Sequence, residues 1–426
     1  MNVYFLSLYI IFFIIINFVE KKLYQSHISP LTFYCLLWCI IGIGANLAFF
    51  DYDKPSLLVN ITIIVSIVIV FISFIIMNKN ISFQLLGDSI IEFKVNKTLF
   101  FLLEVIFIFV SIPKFINSFQ IFLANGFTVL RGAEIIGVGK DVGIYNEIVE
   151  LIVKPWFYCV DLIAIISLFN KFSKIDKKFL WILNIFNIVY FIIMTAGRAF
   201  LVNTIFYYLI TLLIYRRKNL YVFIKKEKVK LLLFILIIIG LLIMQNLRSP
   251  DMTIIKTFYI YYFSGPIYLS KIINVNSTVF SINKQFLYGS ATFGFITSIF
   301  SYMAILISHT PQGAGYFISS KLTSSNVLIG KNIKINSMCT SNYIFLLDWG
   351  YFGIIVGPLV ISIFSYMIYK RAIQKPTLSN ITILVFFINI LIRTVFKWDL
   401  LYSDICIIYL YLRIITYFSK VRIKWY

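Results

Sequence analysis

YFIIMTAGRAFLVNTIF, residues 190 to 206, places a single arginine between two apolar runs. A bilayer core is about 30 Å thick. A helix needs roughly 20 mostly apolar residues to cross it, because every backbone polar group must be hydrogen-bonded within the segment. An arginine at the centre of such a helix costs about 2.5 to 3.5 kcal/mol on insertion scales. At the membrane edge the long side chain reaches water and escapes much of that cost. The stretch therefore reads as two spans, near 179 to 196 and 199 to 215, meeting in a turn that holds Gly197 and Arg198.

The same alternation of apolar run and short polar break extends along the chain. Of 426 residues, 61% are hydrophobic and 13% charged, and the mean hydropathy is +0.93, far from a soluble domain. The expected fold is an all-α polytopic membrane protein. Apolar runs near 3 to 19, 31 to 50, 56 to 77, 98 to 120, 149 to 169, 231 to 247, 351 to 369, 380 to 400 and 403 to 419 join the two above to give about eleven spans. The first run continues into EKK (20 to 22) with no small-residue cleavage site, so it reads as a retained span.

The formal charge of +21 lies mainly in the breaks. RRKNLYVFIKKEKVK (216 to 230) has seven Lys and Arg against one Glu, and NKFSKIDKK (170 to 178) is similar. Both belong inside by the positive-inside rule, which sets the N-terminus outside and the C-terminus inside. Basic breaks of this kind anchor topology against anionic lipid and need no nucleic-acid partner. Five cysteines and two histidines, His27 and His309, offer neither a disulfide framework nor metal-ligand spacing.

Two outer segments exceed a turn. ANGFTVLRGAEIIGVGKDVGIYNE (124 to 147) is glycine-rich and carries Arg131 and Glu134. The second runs from Arg248 to Gly350, between spans eight and nine. Its aromatic stretches YIYYFSGPIYL, FLYGSATFGF and NYIFLLDWGYFG have apolar surface to bury, so it is expected to fold as a cap. Within it, 293 to 308 is too short and polar for a span and reads as interfacial or re-entrant.

Arg131, Arg198 and Arg248 fall on the outer side, against the positive-inside rule. Each fits an interface anchor, and together they fit a phosphate site, because a guanidinium is a rigid fork of donors. The tyrosines of 259 to 268 fit a membrane-interface belt or a surface for stacking on sugar rings. Asp348 fits a residue that complements a helix dipole, or one that orients a hydroxyl or acts as general base. Neither a P-loop nor a G-x-S-x-G elbow occurs, and no outer carboxylates are paired for a metal.

The GR turn at 197 to 198, FSGP at 263 to 266, GSATFGF at 289 to 295 and SNYIFLLDWGYFGII at 341 to 355, in that order ahead of YKR, resemble bacterial O-antigen polymerases. The resemblance covers roughly residues 120 to 370. The chain departs from the family in having Ala199 after the arginine and SNYIF in the last motif, so that Asn342 and Asp348 are the matching positions. The resemblance implies a C-type-like membrane glycosyltransferase, free of metal and cofactor, acting at the periplasmic face of the bacterial inner membrane. Its substrates would be an undecaprenyl-diphosphate-linked growing chain and a second lipid-linked repeat unit, with a chain-length regulator as a further partner. Arg198, Arg248 and Asp348 are then the expected catalytic residues. Arg131, Glu134, Tyr262, Gly265, Asn342 and Tyr343 are the expected substrate contacts. The general base stays open between Asp348, Asp251, Glu134 and a substrate-assisted route. Two other readings remain, an O-antigen ligase using His309 and a lipid-linked oligosaccharide flippase.

Overall fold

A computed structural model of the chain describes residues 2–24, 29–78, 90–136, 144–215, 235, 238–240, 242–243, 253–273, 286–297, 318, 327–331, 333–335, 339–417 and 420–424. In chain order the helices are α1 (Asn2–Tyr24), α2 (Pro30–Leu47), α3 (Leu57–Asn78), α4 (Lys97–Ile136), α5 (Ile144–Ile148), α6 (Lys154–Phe169), α7 (Lys174–Thr195) and α8 (Ala199–Tyr215). They continue with α9 (Ile254–Ile272), α10 (Ser341–Trp349), α11 (Gly353–Gln374), α12 (Leu378–Arg393) and α13 (Asp404–Tyr417). Among the described residues the short strands are β1 (Ile90–Lys94), β2 (Lys171–Phe172), β3 (Val327–Gly330), β4 (Ile333–Ile335) and β5 (Lys420–Lys424).

Among the described residues, seven helical stretches are long and apolar enough to cross a membrane: Val3–Lys22, Pro30–Leu47, Leu57–Met77, Lys97–Phe127, Val149–Phe169, Lys174–Thr195 and Ser341–Gln374. Ala199–Tyr215 and Leu378–Arg393 are shorter apolar helices. The chain is a predominantly helical, polytopic membrane protein. Nearly every expected span has a helix at its place. The run at 231 to 247 lies mostly outside the described residues.

The helix boundaries have local causes. Ser29 caps α2, its Oγ accepting from Thr32 N at 3.0 Å, with Pro30 in the first turn, where no N–H is needed. Ser173 caps α7 in the same way through Asp176 N at 3.0 Å. That cap starts α7 at Lys174, five residues before the apolar run begins.

The chain divides into two compact units. One comprises residues 1–83, 255–370 and 390–403. There α1, α2 and α3 are clasped by polar side chains in an apolar setting. Asn60 Oδ1 accepts from Tyr9 Oη at 3.1 Å and from Asn46 Nδ2 at 2.8 Å. A Cβ on Gly42 would lie 2.5 Å from the Tyr9 ring, so glycine is what lets α1 approach α2. The hairpin β3–β4 is antiparallel, with Val327 opposite Ile335, and Asp53 N bonds Ile329 O at 2.9 Å.

The other unit comprises residues 84–254, 371–389 and 404–426. In it α7, α8 and α13 pack around α6, which has Trp156, Phe157, Cys159 and Asp161 fully buried, and α4 packs on α7. A sheet in the order β2-β1-β5 closes one end, with β1 parallel to β2 and antiparallel to β5. These strands come from breaks that the hydropathy pattern marks only as basic linkers.

The two long segments are more helical than expected. Residues 124 to 136 continue α4 past a kink at Gly126 (φ 76°), and helix resumes at Ile144; 137 to 143 lie outside the described residues. The segment 248 to 350 contains α9, the hairpin and α10. A tyrosine-rich helix broken by Ser, Gly and Pro has low mean hydropathy, which is why α9 reads as loop in the sequence. Of 293 to 308, residues 298 to 308 lie outside the described residues.

The stretch 341 to 374 is also not one straight helix. Gly350 (φ 57°) reverses the chain, and a Cβ on Gly353 would sit 1.9 Å from Phe345 O. Alanine at Gly353 is therefore expected to cost about 1 to 3 kcal/mol of overpacking. Alanine at Gly240, with nothing within 4 Å among the described residues, is expected to cost nothing. Thermal melts of the two purified variants in detergent check this: only G353A melts below wild type.

Candidate functional site

Arg198 occupies the turn that the sequence assigns to it. α7 ends at Thr195, and Ala196 takes a left-handed conformation (φ 47°, ψ 25°), its N–H bonding Ile192 O at 2.8 Å. Gly197 N bonds Thr195 Oγ1 at 3.1 Å. Arg198 then opens α8: its carbonyl accepts from Val202 N at 3.1 Å, so it stands at the cap position. The first turn of α8 carries no acidic residue. Arg198 thus stands at the positive end of the helix dipole, a position that favours an arriving anion.

Two lysines that the sequence reading left inside apolar spans belong to the same end of this unit. Lys114 Nζ reaches Glu150 Oε1 at 2.8 Å, and Lys154 Nζ pairs with the same oxygen. Lys154 also lies over the Phe191 ring, 6.0 Å from its centroid. Phe191 packs on Phe200 with ring centroids 4.7 Å apart, which brings this lysine to the helix pair that the Arg198 turn connects. Glu150 is in a π-helical turn, Val149–Val153, that joins α5 to α6; such turns recur at functional sites. A lysine breaking an apolar run is the signal that would have found both residues.

Of the other expected residues in this unit, Arg131 and Glu134 lie in the last turns of α4, and their side chains fall outside what is described. Arg248 and Asp251 lie outside the described residues.

In the other unit the three motifs at 263–266, 289–295 and 341–355 meet. Asp348, fully buried, accepts from Ala291 N at 3.1 Å and from Thr292 N at 2.5 Å. Leu287 N and Tyr288 N bond the carbonyls of Leu347 and Asp348 at 3.1 and 3.0 Å. The carboxylate thus ties 286–297 to the end of α10. Both of its oxygens accept from backbone N–H groups. Gly265 serves packing as well: a Cβ there would lie 2.2 Å from Val395 O and 3.1 Å from Thr340 Cγ2.

That contact leads to RTVFKWD, residues 393 to 399, which the sequence reading placed inside a span. α12 ends at Arg393, and the chain turns with Lys397 N bonding Arg393 O at 2.9 Å. Buried Asp399 pairs with Arg393 Nε at 3.1 Å and with Lys397 Nζ at 2.8 Å. The Tyr262 ring lies 6.2 Å from that of Phe396. Ser341 N donates to Thr394 O at 2.8 Å, seating the start of α10 on this turn. There Thr340 Oγ1, Ser341 Oγ and Asn342 Nδ2 are buried with no hydrogen-bond partner among the described residues. Asn342 Oδ1 accepts from Ser66 Oγ at 3.3 Å. Tyr343 is buried beside them. Polar atoms that are buried yet unbonded at a helix start are hydrogen-bonding capacity a ligand can use.

Cys339 is buried, and burial pushes its thiol up to about 12. No group of His, Cys, Asp and Glu suited to a metal occurs among the described residues.

Replacing Asp348 by alanine leaves two backbone N–H groups unpaired, at about 1 to 3 kcal/mol each. Asp348→Asn keeps one acceptor and should lose roughly half as much. Fluorescence-detected size exclusion in detergent reads this as monodisperse protein falling in the order wild type, D348N, D348A. Compared with known protein families, curated proteins and solved structures, the chain matches none.

Proposed function

We propose that the chain is an O-antigen polymerase, a metal-independent glycosyltransferase of about eleven spans in the bacterial inner membrane, working at the periplasmic face. It joins oligosaccharide repeat units carried on undecaprenyl diphosphate. The anomeric carbon of the growing chain forms a glycosidic bond to a hydroxyl of the incoming unit, and its bond to the lipid diphosphate breaks. The hydroxyl proton passes to a base, and the diphosphate departs with the bonding pair.

The observation that carries this reading is Arg198 at the cap of α8, in the three-residue turn 196–198 that joins two apolar helices. A leaving diphosphate gathers negative charge, and a fixed guanidinium beside a helix N-terminus stabilises such charge without reorganising. Both substrates keep their lipids in the bilayer and their sugars outside, which suits a site at helix ends. Asp348 is then a scaffold for the aromatic segment 286–297. The unbonded Thr340, Ser341 and Asn342 offer hydrogen bonds to sugar hydroxyls or phosphate oxygens.

Deleting the gene and complementing it with Arg198→Ala tests the reading on a silver-stained lipopolysaccharide gel. The expected product is core bearing single repeat units, with the long ladder reduced about 100-fold or more, the usual loss on removing one oxyanion donor. A normal ladder from this variant rejects the arginine site. Polymer that forms but stays off the lipid A core identifies a ligase.

A further inference from the structure

Apart from the site above, the unit that holds α4, α6, α7 and α8 has two carboxylates buried between its helices, Glu104 at 2% exposure and Asp161 at 0%. Neither has an ion-pair partner among the described residues. The lysines of α4 are engaged elsewhere, Lys97 with Asp176 at 2.9 Å and Lys114 with Glu150. Intramembrane carboxylates are costly and are functional candidates by default.

The two differ in how their oxygens are served. Asp161 Oδ1 accepts from Asn184 Nδ2 at 3.1 Å and Oδ2 from Thr204 Oγ1 at 2.8 Å. On Glu104 both donors go to one oxygen. Oε2 takes Trp156 Nε1 at 2.8 Å and Asn187 Nδ2 at 3.4 Å. Oε1 has no partner, and neither does Asn187 Oδ1. An ionised carboxylate and an amide oxygen are both acceptors, so side by side they repel. One hydrogen placed between them satisfies both. A carboxylic acid and a primary amide close a ring of two hydrogen bonds, N–H to one acid oxygen and O–H from the other acid oxygen to the amide. Phe100 and Phe107 of α4 and Tyr411 of α13 surround the Trp156 indole with ring centroids 5.7, 5.5 and 5.9 Å away. Cys159 of α6 bonds Ile408 O, and Asn184 lies one turn before Asn187 on α7.

We infer that Glu104 and Asn187 form an intramembrane proton-binding site, with the proton on Glu104 Oε1 donated to Asn187 Oδ1. The proton crosslinks α4 to α7, and Asp161 and Asn184 continue the same polar seam to α6. This inference is independent of the glycosyl-transfer reading.

Infrared difference spectroscopy of the purified full-length protein in lipid nanodiscs at neutral pH tests it, with thermal melts in sodium or choline chloride alongside. Wild type minus Glu104→Gln should show the C=O band of a protonated acid. E104Q, whose amide reproduces the donor and the acceptor of the acid, should melt with wild type in either salt. Carboxylate bands in place of the acid band overturn the inference. So does a sodium-dependent rise in wild-type melting that E104Q lacks, which assigns the site to a metal cation. If E104Q cannot be recovered, Asn187→Ala should shift the acid band to higher frequency as the acceptor is lost, and an unmoved band overturns the pairing.

Discussion

In a bilayer core a polar group that finds no partner within the protein finds none at all, and that single constraint organises this chain. It forces the backbone into helices, then acts again on every polar side chain the helices carry. Tyr9, Asn46 and Asn60 answer it by binding one another across α1, α2 and α3. Ser111 and Tyr190, 2.9 Å apart, do the same between α4 and α7. Serines and threonines answer it locally by bonding the carbonyl one turn back, as Thr62 does to Leu58 O at 2.8 Å. Without lipid-driven attraction between apolar helices, such pairs fix which helix faces touch.

Where a helix ends, the constraint loosens and backbone groups become available for other work. The ends here are built by specific residues: Ala196 in a left-handed turn before Arg198, Gly350 reversing the chain between α10 and α11, and Arg393 and Lys397 folded onto Asp399. The Arg393, Lys397 and Asp399 cluster lies at such an end, and Lys154 opens α6 beside Glu150. The glycosyl transfer proposed above needs its chemistry there, because the sugars it joins do not enter lipid.

The helical, many-span architecture was legible because it depends on summed hydropathy. α6 coincides with its expected run apart from the π-helical first turn, and α8 coincides with its run throughout. Sums also hide single residues. Lys114, Lys154, Arg393, Lys397 and Asp399 vanished into apolar averages, although each marks a helix end or an ion pair. The strands β1, β2 and β5 pair residues far apart in sequence, and two to five residues give no period to read. For Arg198 the sequence alone carried both position and setting, because a turn between two runs is a local feature. For Asp348 it gave the position, but the partners that decide its role, Ala291 N and Thr292 N, are contacts across 56 or 57 residues.

The same accounting that explains the paired groups gives meaning to the unpaired ones. At the start of α10 the unbonded set includes Asn342 Nδ2, which can only donate, beside two hydroxyls that can also donate. Donors left over call for an acceptor-rich visitor such as a phosphate or a sugar. At Glu104 and Asn187 the unbonded atoms are both acceptors. Acceptors left over in lipid call for a hydrogen, and the smallest ligand that brings one is a proton. The sign of the unmet hydrogen-bonding capacity thus separates the proposed substrate contacts from the pair proposed to hold α4 to α7.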